Sequence, residues 1–104
     1  MRRTEYVVPL GPGSRYRHYH VSDEGRIIEF RVQYELYVRR RWYPVVRYDT
    51  AHGFAHRDLM DFNGVKSKTP LFTSDYNEAL TFAESDIKSN WEIYKTRFAE
   101  GYDG

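Results

Sequence analysis

The sequence predicts an α+β domain, in which an antiparallel, curled meander of five or six strands is followed by one long C-terminal amphipathic helix packed on one face. Three observations carry this expectation. Apolar and polar residues alternate through residues 26–38, turn-forming clusters punctuate the chain up to residue 70, and the apolar spacing changes to three and four after residue 75.

Taken in order, residues 6–8 read as a short strand closed by Gly11-Pro12-Gly13. Residues 16–21 read as a second strand, which reaches the third through Ser22-Asp23-Glu24-Gly25. In the third, Ile28, Phe30, Val32, Tyr34, Leu36 and Val38 alternate with Glu29, Arg31, Gln33, Glu35 and Tyr37, the pattern of a long strand with one buried face. Arg39-Arg40-Arg41 forms a hairpin tip leading into residues 42–48, where Pro44 cannot donate to a ladder and calls for an edge or a bulge. A last pair of strands, about 56–61 and 65–69, is hinged at Asn63-Gly64, a strong hairpin signal.

Tyr76, Leu80, Ala83, Ile87, Trp91, Tyr94 and Phe98 then mark one stripe of a helix over about residues 75–100. Asp75 with Glu78 supplies a capping-box start and Gly101 a stop. Five strands at about 4.8 Å span roughly 24 Å, whereas a helix is about 10 Å across. The sheet must therefore curl or be covered by a second copy, so a homodimer is expected. No repeat or linker divides the chain, and residues 1–104 read as a single domain, with strands over about 5–70.

Composition narrows the chemistry. The chain has 104 residues, four His and no Cys, which excludes disulfides, zinc ribbons and thiol nucleophiles. No apolar stretch approaches a membrane span and no signal peptide is evident, so a cytoplasmic protein without membrane contact is expected. The net charge of +1 conceals an asymmetry: residues 1–68 carry 13 Lys+Arg against 8 Asp+Glu, residues 69–104 carry 3 against 7. Arginine dominates the basic part, and its planar fork suits phosphate.

The densest group of reactive side chains lies between Arg47 and Asp58, and three readings of it stand open. His52 and His56 have the spacing of a helical metal pair, but Gly53 disfavours a helix, and on a strand the two would sit about 13 Å apart; no metal or cofactor is expected. Alternatively the group is structural, with Asp49 capping a turn, Thr50 and His52 bonding backbone, and the two arginines pairing with Asp58 and Asp61. In the third reading the group cleaves a phosphodiester without metal. His52 and His56 act as base and acid, Arg47 and Arg57 stabilise the phosphorane, Tyr48 stacks or donates a proton, and Asp49 fixes a histidine tautomer. Such an activity would fall on acidification through about pH 6 to 7.

A second pair, His18 and His20, shares one strand face with Tyr16, while Arg15, Arg17 and Tyr19 occupy the other. If this strand pairs with residues 26–33, either histidine could lie beside Glu29 or Arg31. His18, His20, Arg17, Arg31 and Tyr16 are the candidate substrate-binding residues, since alternating cations and rings suit single-stranded nucleic acid.

The run Arg47-Tyr48-Asp49-Thr50-Ala51-His52-Gly53, followed by His56-Arg57, resembles the signature of the TumE-like family of small bacterial and archaeal proteins and of related small uncharacterised families. The likeness is strongest over residues 28–62. It implies the toxin half of a toxin–antitoxin pair acting on RNA, with an antitoxin protein as partner. Phe54 and Ala55 stand where His-rich or Pro-containing sequence is typical, so only His52 and His56 carry over.

The functional expectation is thus a small metal-independent ribonuclease of a toxin–antitoxin or defence system. Two alternatives accompany it: a nuclease that degrades a cyclic oligoadenylate messenger at a dimer interface, and a nucleic-acid or protein-binding module without chemistry.

Overall fold

The computed structural model describes residues 1–101, with Lys66 described through its backbone alone. Six strands, β1 (Arg2–Gly11), β2 (Ser14–Asp23), β3 (Arg26–Val38), β4 (Arg41–Asp49), β5 (His56–Asp61) and β6 (Gly64–Pro70), precede a single helix, α1 (Tyr76–Glu100). Every strand pairs antiparallel with its chain neighbour, giving the sheet order β1-β2-β3-β4-β5-β6. This is the expected meander with one C-terminal helix.

Three local expectations need correction. The first strand spans ten residues rather than three, because β1 pairs with β2 from Arg2↔Ser22 to Gly11↔Ser14 although its own apolar alternation is weak. The β5–β6 turn is Phe62-Asn63, with Gly64 already on the strand opposite Asp61. The paired left-handed residues that favour a two-residue hairpin occur instead at Arg39 (φ 51) and Arg40 (φ 67), and Arg41 begins β4. Pro44 behaves as anticipated, since β4 bulges between Val46 and Pro44, beyond its last pair with β5 at Val46↔Leu59.

The helix begins at Asp75, whose side chain accepts from the Glu78 amide, while Glu78 reaches back to the Ser74 amide at 3.0 Å. Its buried residues, Ala79, Leu80, Ala83, Ile87, Tyr94 and Phe98, pack on Phe30, Val32, Tyr34, Val46 and Tyr48 of the central strands. Side chains of Phe size contribute about 1.5–3 kcal/mol each when fully buried. Polar contacts pin the helix as well. Tyr48 donates to Asp86 at 2.5 Å, Tyr94 donates to the same carboxylate oxygen, and Arg57 donates to the Tyr94 hydroxyl at 3.3 Å. Burial, then the bond to Asp86, raises the pKa of both tyrosines, so they remain hydroxyl donors.

The two faces of the sheet thereby acquire different chemistry. Tyr6, Tyr16, His18, His20, Tyr48 and Arg57 follow the register of the core strands and face α1. Arg15, Arg17, Tyr19, Arg31, Arg47, Asp49, His56 and Asp58 occupy the opposite face, across which α1 does not extend.

Candidate functional site

The register separates the residues that the sequence grouped. Of the Arg47–Asp58 set, Arg47, Asp49 and His56 share the open face, whereas Tyr48 and Arg57 pass through the sheet to anchor α1. The substrate-binding set divides too, with Tyr16, His18 and His20 on the helix side and Arg17 and Arg31 on the open side. The two histidine pairs therefore do not share a site. Opposite His18 and His20 on β3 lie Val32 and Phe30; it is Tyr19 that faces Arg31.

On the open face, His56 is 1% exposed and sits between two carboxylates. Its Nδ1 is 3.0 Å from Asp58 Oδ1, and its Nε2 is 2.8 Å from Asp49 Oδ1, although bent away from ideal hydrogen-bond alignment. Arg31 approaches the far side of Asp49 at 3.7 Å, and Lys68 meets Asp58 at 3.2 Å. Asp49 also accepts from the Ala51 amide at 3.1 Å, and Thr50 Oγ1 accepts from the Phe30 amide at 3.1 Å, as turn-capping residues should. The loop carries His52 at φ 45 and stacks its ring over His56 with centroids 5.8 Å apart, far closer than an extended segment would allow. Where the structural reading paired the two arginines with Asp58 and Asp61, their described hydrogen bonds go to Gln33 from Arg47 at 2.7 Å and to Tyr94 from Arg57 at 3.3 Å, with Asp58 opposite Arg47 in the register. Among the described residues no group of three His, Asp or Glu side chains is arranged to hold a metal ion.

On the helix side a different arrangement forms. His18, 4% exposed, stacks flat on Tyr6 with centroids 4.3 Å apart. Its Nδ1 lies 2.5 Å from Glu84 Oε1, again off the line of an ideal bond, and its Nε2 lies 2.6 Å from His20 Nδ1. Glu84 further accepts from Tyr6 at 2.8 Å and Tyr16 at 3.2 Å and pairs with Lys88 at 3.3 Å. The contact from His18, aided by Tyr6 against the opposing cost of burial, holds the Glu84 carboxyl down to about 2. Burial, then the neighbouring His18, pulls His20 below the ordinary imidazole value of 6.5, with Arg2 adding to the effect.

With His18 neutral and its Nδ1–H directed at the accepting Glu84 carboxylate, its Nε2 would accept from His20 Nδ1–H, and the lone pair of His20 would then fall on Nε2. His20 is partly exposed and lines a groove of about 590 Å³ between β1, β2 and α1, together with Lys88, Ser85 and Ser89. Lys88 is largely exposed, and its hydrogen bond to Glu84 raises its pKa, so it stays a cation on the rim of this groove.

Glu84 and Lys88 are the residues that sequence reasoning missed. A signal was present: Glu84 is four residues after Leu80 and three before Ile87, so the apolar stripe carries a carboxylate on its border.

The protein is thus a single-helix meander domain with two imidazoles in contact in the cleft beside its helix. The chain belongs to the family described as Domain of unknown function (DUF7718), whose model matches residues 1–104. No curated protein and no solved structure matches it.

Proposed function

We infer that this protein is a metal-independent ribonuclease whose general base is His20. One observation carries the reading: the part-buried Glu84 carboxylate, the buried His18 ring and the partly exposed His20 ring meet in series at a groove that Lys88 also lines. A neutral imidazole in a groove is the group that removes a proton near neutral pH, and a fixed partner on its other nitrogen keeps the lone pair aimed outward.

In the proposed step, His20 Nε2 takes the proton of a ribose 2′-hydroxyl. The 2′-oxygen bonds to phosphorus, the P–O5′ bond breaks, and the leaving 5′-oxygen takes a proton from solvent, giving a 2′,3′-cyclic phosphate and a 5′-hydroxyl. Lys88 faces the negative charge that builds on phosphorus. His18 and Glu84 act through His20 and are positioning residues. His52 and His56 fall outside this assignment, and the TumE-like motif then supports the toxin setting through likeness alone. The same reading takes RNA as substrate, an antitoxin protein as partner, a homodimer as assembly and the cytoplasm as location.

The test is cleavage of a labelled single-stranded RNA in excess EDTA, with a cyclic oligoadenylate in a parallel arm. His20→Ala should lower the cleavage rate about 10²- to 10⁴-fold, the usual worth of one acid–base group, while His52→Ala cleaves like the wild type. An inert wild-type protein, or undiminished cleavage by His20→Ala, overturns the assignment. Cleavage of the cyclic substrate alone transfers the same chemistry to the messenger-degrading alternative.

A further inference from the structure

We propose that the open face of the sheet carries a second site, which binds the phosphate of a nucleotide between Arg17 and Arg31. The two side chains belong to adjacent strands and line a depression of about 760 Å³ together with Tyr19, Gln33, Val7 and Ile28. Both side chains are more than half exposed, at 56% and 54%.

The arginines of this face share their carboxylates. Glu35 Oε1 serves two arginines, Arg15 at 2.7 Å and Arg17 at 3.2 Å. Asp49 is shared between His56 and the more distant Arg31. Arg47 meets only the neutral Gln33 at 2.7 Å among its described hydrogen-bond partners. Of the other acids lining the depression, Glu5 is engaged by Arg3 at 2.8 Å and Glu29 accepts from Tyr19 at 2.6 Å. Glu35 and Asp49 are thus shared among these arginines, and burial with the repulsion of Arg31 lowers the pKa of Arg47 against the opposing pull of Asp49, Asp58 and Glu35.

Geometry favours phosphate. In Arg17 and Arg31 it is Nε that meets the carboxylate, and among the described contacts their terminal Nη groups donate no hydrogen bond. Two forks on neighbouring strands can chelate tetrahedral phosphate oxygens from two directions. The depression is several times the size of a phosphate, and Tyr19 with Val7 and Ile28 offers apolar surface for a flat base. The ligand class is therefore a nucleoside 5′-phosphate, free or at the end of an RNA strand. Arg17 and Arg31 lie across the sheet from His20, although Tyr6 and His18 border the same depression, and the phosphate site stands whether or not the protein cleaves RNA.

The probes are 5′-AMP, a 5′-phosphorylated trinucleotide and adenosine, titrated against the full chain and followed by amide and tyrosine NMR shifts. Both phosphorylated probes should bind and move the Tyr19 and Arg31 resonances, with adenosine at least 10-fold weaker. If the trinucleotide binds and 5′-AMP does not, the source is an RNA end; binding by both assigns a free nucleotide as sufficient. Arg31→Ala and Arg17→Ala, both exposed positions, should each weaken binding at least 10-fold, and Arg31→Lys should restore only part of it. Absence of binding by both phosphorylated probes, or affinity unchanged in folded Arg31→Ala, overturns the proposal.

Discussion

The two histidine pairs of this protein are built from similar parts and are wired differently. Each has one buried ring beside a carboxylate and one more open ring, yet His18 meets its partner nitrogen to nitrogen, whereas His56 meets its partner face to face. Both nitrogens of His56 look at carboxylates, so it ties β4 to β5 and has no nitrogen left for a substrate. His18 gives one nitrogen to Glu84 and the other to His20, so the influence of the carboxylate is passed toward solvent. Two imidazoles on one strand face two residues apart can form such a chain; two imidazoles flanking a turn, as His52 and His56 do, stack instead.

The largest expected effect separates clamp from relay on stability. His56→Ala leaves Asp49 and Asp58 buried with their shared partner gone, and losing one member of a buried charged network costs about 3–5 kcal/mol. Thermal denaturation should show a large fall in Tm for His56→Ala and a small one for the partly exposed His20→Ala. Equal losses would mean that both pairs are structural.

Much of this was readable before the fold was known. The alternation gave the central strand and, from Phe30 to Leu36, its buried face. Ile28 is exposed instead, because the β2–β3 register shifts between Val21 and Ser22 and Ile27 packs on the core, and Glu35 of the expected polar face is buried. The stripe from Tyr76 to Phe98 gave the helix with its cap. The same period of two already separated His18 and His20 from Arg17, because alternate residues on a strand cannot share a face. Applied to β4 and β5, it would also have divided Tyr48 from Arg47 and Asp49. That division was obscured because the reactive residues are contiguous in sequence, and contiguity is a poor guide to proximity on a strand. Glu84 was out of reach for a different reason. Its partnership with His18 joins residues 66 positions apart, and only the tertiary packing of α1 on β2 creates it.

Acidification should distinguish the two carboxylate systems next. Glu84 is held near 2 in the folded protein, against 4.5 for an ordinary glutamate, so its stabilising contribution is complete above about 4.5 and disappears as the pH falls from there toward 2. Glu84→Gln should remove that part of the acid dependence in a pH series of denaturant melts. It should also move the acid limb of the cleavage profile to lower pH, because the charge of Glu84 acts to raise the His20 pKa. In the wild type that limb should already lie below 6.5, since the folded environment favours neutral His20. A limb that does not shift in the variant would sever Glu84 from His20 and reduce it to a helix anchor.

The smallest effect is expected at His52, and it tests whether the stacked pair acts as a unit. The side chain is exposed, makes its ring contact with His56, and sits on left-handed backbone at φ 45. Alanine keeps the backbone strain and removes only the stacked ring, so His52→Ala should change stability by no more than about 0.5 kcal/mol. Glycine relieves the strain but adds freedom to the unfolded chain, two terms of about 1 kcal/mol that oppose each other, so His52→Gly should lie equally close to the wild type. A loss in His52→Ala approaching that of His56→Ala would show that the loop, and not the two aspartates, holds the buried ring in place, and the contrast between clamp and relay would then rest on the helix side alone.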